Sequence, residues 1–189
     1  MIALSNGMLL YHGSYTSVER IDLAKCRAGK DFGKGFYLTG DYEQARSFIP
    51  TSMKKILMEG YPVSNPSVGY VSVFRVCDIS ALRTFCFQDA DREWLHFVAF
   101  NRKTNLFREY ADAYKAFQVI GGKIANDQTA RTLQLYVSGA FGDPGSKEAD
   151  AFAIQQLLPN RLGDQYCFRD DAAVRQLVFI GSDPIEIGR

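Results

Sequence analysis

Hydrophobic and polar positions alternate most regularly over residues 70–76. Tyr70, Ser72, Phe74 and Val76 fall on one face and Val71, Val73 and Arg75 on the other, and this period of two predicts a strand. An apolar run at 8–12 and an aromatic one at 36–39 predict two more, with shorter strands expected at 82–87, 164–169, 178–180 and 185–187. The β-branched stretch 116–125 contains the pair Gly121-Gly122, which reads as a strand with a bulge or a close backbone approach.

Spacings of three and four predict the helices. Asp41 is placed to cap one with Ala45, Phe48, Met53, Ile56 and Leu57 along its apolar face, and Pro50 is expected to interrupt or kink it. Residues 91–102 carry Trp94, Leu95, Phe97 and Val98 on one stripe behind the acidic start Asp89, Asp91 and Glu93. Further helices are expected after Asp127, with Ala130, Leu133, Leu135, Tyr136 and Val137, over 147–158 up to Pro159, Asn160 and Gly163, and from an Asp171 cap through Leu177. Residues 106–114 either continue the 91–102 helix or form a connector. Residues 14–22 read as a turn with a short helical piece whose Val18 and Ile21, with Leu23, cover the core. Residues 24–34 read as an exposed loop, 59–68 as a linker, and Gly142 to Ser146 as a turn. Strands scattered among helices, without the regular alternation of a doubly wound sheet, predict the α+β class.

Composition narrows the partners. At 189 residues one domain is expected, and 47% hydrophobic with 23% charged residues suits neither a disordered nor a membrane protein. A net charge of +1 removes the electrostatic footprint of a general polyanion binder, although a basic groove would still admit nucleic acid as a substrate. The four cysteines lack paired spacing and there are two histidines, so no metal site is expected and the thiols read as small buried hydrophobes. The start has no basic and apolar leader, and no apolar run reaches membrane-spanning length; a cytoplasmic location with reduced thiols and no membrane partner is expected.

The chemistry concentrates in two stretches, Leu10-Tyr11-His12-Gly13-Ser14 and Asp31-Phe32-Gly33-Lys34-Gly35-Phe36-Tyr37-Leu38-Thr39. Two strands that end in polar groups suit the walls of one small-molecule cleft. The glycine-rich run is not a P-loop: the Gly29 to Gly33 spacing is short, and Gly35 stands where a hydroxyl residue would follow Lys34. Gly33 and Gly35 instead flank the start of a strand, where glycine lets backbone approach a ligand.

These residues resemble the NAD-binding core of the ADP-ribosyltransferase superfamily, in its diphtheria-toxin and poly(ADP-ribose) polymerase branch. They resemble more closely a bacterial domain-of-unknown-function family placed in that superfamily. The resemblance rests on Tyr11-His12-Gly13-Ser14, on Asp31 to Thr39, on Asn101-Arg102 after the Trp94-Leu95 helix, on Ile120 to Asp127, and on Gln165-Tyr166-Cys167-Phe168.

It implies two small, mostly antiparallel sheets forming an NAD cleft flanked by helices. The implied activity is mono-ADP-ribosyl transfer from NAD to a protein or nucleic-acid acceptor with release of nicotinamide, needing no metal. The implied context is that of a bacterial toxin or regulator, and a toxin would have an inhibitory partner protein. In the implied roles His12 hydrogen-bonds a ribose hydroxyl, the Gly13 backbone holds the nicotinamide carboxamide, Ser14 adds a polar contact and Tyr37 stacks on the nicotinamide. Tyr11, Phe32, Gly35 and Phe36 complete the NAD-contacting set, with simple core the alternative for Tyr11.

The third catalytic position, commonly Glu in the family, is Gln165. An amide can hydrogen-bond the ribose hydroxyl but carries no charge and cannot act as a base. That departure keeps two alternatives open: a catalytically silent NAD- or ADP-ribose-binding module, and an NAD glycohydrolase. Lys25, Arg27, Lys30 and Asn101-Arg102 are candidates for phosphate contact or for simple solvated and helix-end positions. Asp164 and Asp170 read as turn and cap.

Overall fold

The N-terminal apolar run forms β1 (Leu9–Ser14), and the glycine-rich segment turns into β2 (Phe36–Leu38). Asp41 caps α1 (Tyr42–Met58) by accepting the Gln44 N–H. Beyond β3 (Val68–Val76) and β4 (Thr84–Cys86), Asp91 caps α2 (Arg92–Arg102) through the Trp94 N–H. Then come α3 (Glu109–Ala113), β5 (Val119–Lys123), α4 (Asp127–Val137), α5 (Lys147–Leu157), β6 (Asp164–Phe168), α6 (Asp171–Val174) and β7 (Leu177–Glu186). The computed structural model describes residues 3–103, 105–124, 127–157 and 163–188. The expected strand residue Ala125, helix residue Leu158 and stop residues Pro159 and Asn160 lie outside these.

The class is α+β, with two open sheets. One is antiparallel in the order β1-β3-β7; the other runs β2-β6-β5-β4 and is antiparallel except between β4 and β5. Reciprocal backbone bonds between Tyr11 and Thr39, 2.8 and 3.0 Å, join the sheets along β1 and β2. Consequently β1, β2 and β6 lie side by side.

The core has two main parts. Leu10, Phe36, Leu38, Phe74, Tyr166 and Phe168 pack where the sheets meet, and Trp94, Leu95, Phe97 and Val98 of α2 pack with Phe32, Ile120, Leu133 and Tyr136. A smaller cluster seats Ala45 and Ile49 of α1 on Val71 of β3. Among the described residues no helix is long and apolar enough to cross a membrane.

Several expectations are corrected. The apolar face of α1 is Ala45, Ile49 and Met53, while Phe48 and Leu57 are exposed. The helix runs on through Pro50, because proline sits on the exposed side and removes one backbone bond while the buried stripe on β3 still holds both halves. Asp170, not Asp171, caps α6, accepting the Ala173 N–H at 2.8 Å. The two strands expected at the C-terminal end are one, β7, which accommodates Pro184 because it is an edge strand. The helical piece expected before Asp22 is instead a single 3-10 turn at Leu23–Lys25.

The 106–114 segment does not continue α2; it is a connector that carries the short separate helix α3. Gly122 marks close approach rather than a bulge: a Cβ there would stand 2.7 Å from Phe32 Cζ and 3.1 Å from Trp94 Cδ1. The 24–34 loop is exposed only in part, for Asp31 and Phe32 at its end are buried.

Candidate functional site

His12 leaves β1 at the junction with β2. Its Nδ1 lies 2.8 Å from the Tyr37 carbonyl oxygen, which can only accept, so this bond assigns the proton to Nδ1 and leaves a lone pair on Nε2. Burial pushes the imidazole below its ordinary pKa, against a smaller opposing pull from the Tyr37 carbonyl, and His12 is neutral at pH 7. Its ring rests on Phe36, 4.5 Å between centroids.

Strand alternation settles what Gly13 presents. The N–H and C=O of Tyr11 both point toward Thr39, so those of Gly13, two residues on, point to the same side, at the level of Tyr37 in β2. The missing side chain has a separate reason: a Cβ on Gly13 would overlap the Ala45 carbonyl of α1. Gly35 is likewise explained by packing, since its Cβ would fall 2.5 Å from Cys167 Sγ and 2.6 Å from the Phe168 carbonyl oxygen.

Tyr37, on β2, ties down the glycine-rich loop. Its hydroxyl donates to the Gly33 carbonyl at 2.8 Å and accepts the Phe32 N–H at 2.9 Å. Burial pushes this phenol well above its ordinary pKa, as it pushes the neighbouring Cys167 thiol up to about 12. Phe32 itself is fully buried, its ring 6.4 Å from Tyr37 and 6.2 Å from both Phe87 and Phe97, so its side chain is core. Ser14 is buried at the end of β1, and Tyr11 packs edge-on against Tyr42 of α1 at 5.4 Å.

Gln165, on β6 opposite Gly122, enters a network that sequence reasoning missed. Its Nε2 donates to Asp31 Oδ2 at 2.9 Å, while Asp31 Oδ1 accepts from Arg102 Nε and Nη2 at 2.9 and 2.6 Å. Asn101 Nδ2 donates to the Asp31 backbone carbonyl at 3.1 Å and to that of Phe97 at 2.9 Å, so the end of α2 grips the loop twice. A carboxylate accepts only, which fixes the Gln165 amide with its Oε1 turned from Asp31. Among the described residues the one buried side-chain polar atom without a partner is Ser17 Oγ. The usable signal was Asp31 as the lone acid among Arg27, Lys30 and Lys34.

The basic candidates separate. Arg27 pairs with Glu59 at 2.6 Å, and Lys25 is exposed in its 3-10 turn. Lys30 is exposed, with Lys55, Arg102 and Arg27 around it; partial desolvation and those cations push its ammonium down despite the opposing Asp31. This makes the loop locally electropositive. Asp164 pairs with Lys123 at 2.8 Å, and Asp170 is the α6 cap already described. Among the described residues no three His, Cys, Asp or Glu side chains converge as metal ligands would.

The structure thus places His12 and Gly13 on β1, Tyr37 on β2 and Gln165 on β6, three successive strands, and links Gln165 to Asp31, which Asn101 and Arg102 hold. Two acceptors, His12 Nε2 and Gln165 Oε1, are held in fixed orientation, and the Gly13 peptide adds a donor and an acceptor. Neither a curated protein nor a solved structure matches the chain. The family model described as "Protein of unknown function (DUF3990)" matches residues 8–179, and the chain belongs to that family.

Proposed function

We propose that this site binds NAD and transfers its ADP-ribosyl group to a macromolecular acceptor. The observation that carries the reading is a pair of oriented acceptors on the two strands that flank β2 and its Tyr37, His12 Nε2 on β1 and Gln165 Oε1 on β6. Oriented acceptors suit the hydroxyls of a ribose, and an N–H beside a C=O matches the carboxamide of nicotinamide. Tyr37 offers an aromatic face in the same region, and the cations around Lys30 suit a pyrophosphate.

In the reaction the bond from the ribose anomeric carbon to nicotinamide breaks with its electron pair leaving on nicotinamide. The acceptor nucleophile forms the new bond to that carbon and loses its proton to water. The transition state is cation-like, so positioning and electrostatics supply the catalysis.

Calorimetry with NAD and chromatographic detection of nicotinamide, with and without cell lysate, test the reading. Binding and lysate-stimulated release are expected, and His12→Ala should lose binding; absence of both binding and release in the unaltered protein overturns it. The amide at Gln165 favours a second reading, a binding module without chemistry, which predicts NAD binding with no nicotinamide. A ratio of free to acceptor-bound ADP-ribose far above one would instead identify an NAD glycohydrolase.

A further inference from the structure

From the Asp31–Gln165 contact we infer that Asp31 is the positioning carboxylate of this site, supplying through the Gln165 amide the orientation and negative charge that the amide lacks by itself. The inference rests on the NAD reading above and goes beyond it, because Asp31 lies in the loop that follows β1 rather than on a sheet. Three observations carry it. Asp31 is buried, so its charge acts at low local dielectric. Its two oxygens divide their work: Oδ1 takes both nitrogens of Arg102, and Oδ2 accepts from the Gln165 amide at 2.9 Å. The amide so held turns Oε1 away from the carboxylate, and a carboxylate accepting from its N–H strengthens that oxygen as an acceptor.

Arg102 does not cancel the effect. Its guanidinium holds the carboxylate in place from the opposite oxygen and is partly exposed, 21% against 8% for Asp31, so water screens the cation more than the anion. A cation-like centre forming at the ribose would meet a charge-backed amide oxygen in place of a direct carboxylate. Asp31 itself touches no substrate; it acts through Gln165.

Moving the carboxylate tests this. Asp31→Asn removes the charge at nearly constant shape, and Asp31→Asn with Gln165→Glu restores one carboxylate and one amide in exchanged positions. Steady-state nicotinamide release and NAD calorimetry are measured on both and on the unaltered protein, with thermal unfolding as the folding control. For Asp31→Asn a kcat loss of about tenfold or more, with KM changed by less than about threefold, is expected. The double variant is expected within about threefold of the unaltered kcat.

Equal kcat in Asp31→Asn and unaltered protein overturns the inference and leaves the NAD reading standing. Parallel loss of affinity, turnover and melting temperature without recovery in the double variant also overturns it, assigning Asp31 a structural role. NAD binding without nicotinamide release in the unaltered protein overturns it too, and absence of NAD binding removes both readings. Should Asp31→Asn fail to fold, the double variant decides: kcat near the unaltered value supports the inference, and kcat at about a tenth or less overturns it.

Discussion

His12 holds its proton on the nitrogen that faces Tyr37 and keeps a lone pair on the other. Its folded pKa lies below the ordinary histidine value, so as pH falls the unfolded chain takes up that proton first. The contribution of His12 to stability is therefore complete above about pH 6.5 and is lost as pH drops from there through the folded value. Urea midpoints at about pH 7.5 and about pH 5.5 should fall with acid, and the fall should be smaller in His12→Gln. Equal falls in both proteins would show that the imidazole is not linked to folding.

Gly13 is constrained differently. Gly13→Ala pushes a methyl into the Ala45 carbonyl, and separating α1 from β1 to make room is expected to cost about 1–3 kcal/mol, read as a lower melting temperature. The glycine is thus needed for packing whatever its backbone binds. The same holds for Gly35 beside Cys167.

At the scale of elements, the local signals were legible wherever a side chain answered its own neighbours. Asp41 and Asp91 cap the helices they precede, and the period of two over residues 70–76 falls within β3. The phase of α1 was not legible, because its apolar residues are spread around the helix and the surface of β3 chooses Ala45, Ile49 and Met53. Pro50 shows the same balance, a local breaker overruled by packing on the opposite face. Pro50→Ala should restore the bond to the Arg46 carbonyl and raise stability by about 1–2 kcal/mol, the loss of proline's restraint on the unfolded chain taking back part of the gain. An unchanged or lower denaturation midpoint would count against that account.

At the scale of the whole molecule, one buried charge sits where three helices meet. Asp150 on α5 accepts from Arg92 Nε at 2.7 Å and His96 Nε2 at 2.8 Å on α2 and from the Tyr136 hydroxyl on α4. Burial alone would raise this carboxyl, but the bonds from Tyr136, Arg92 and His96 outweigh it and hold it below the ordinary carboxylate range. Its contribution to stability is present above the unfolded carboxylate value and lost as pH falls through it toward the folded one. Asp150→Ala, which leaves its buried donors without their acceptor, should cost about 3–5 kcal/mol and flatten the acid limb of the stability profile. Thermal unfolding across that pH range measures both effects.

By itself the sequence determined most of the elements, the α+β class, and the placement of His12, Tyr37 and Gln165 each on a strand, because periodicity, capping and turn chemistry act over a few residues. Only the tertiary structure decided that β1, β2 and β6 are neighbours, that Tyr37 ties the glycine-rich loop, and that Asp31 is buried between Arg102 and Gln165. Those partners come from a loop, the end of a helix and a strand far apart in the chain. What joins them is the cost of burying a charge unpaired, which no local pattern records.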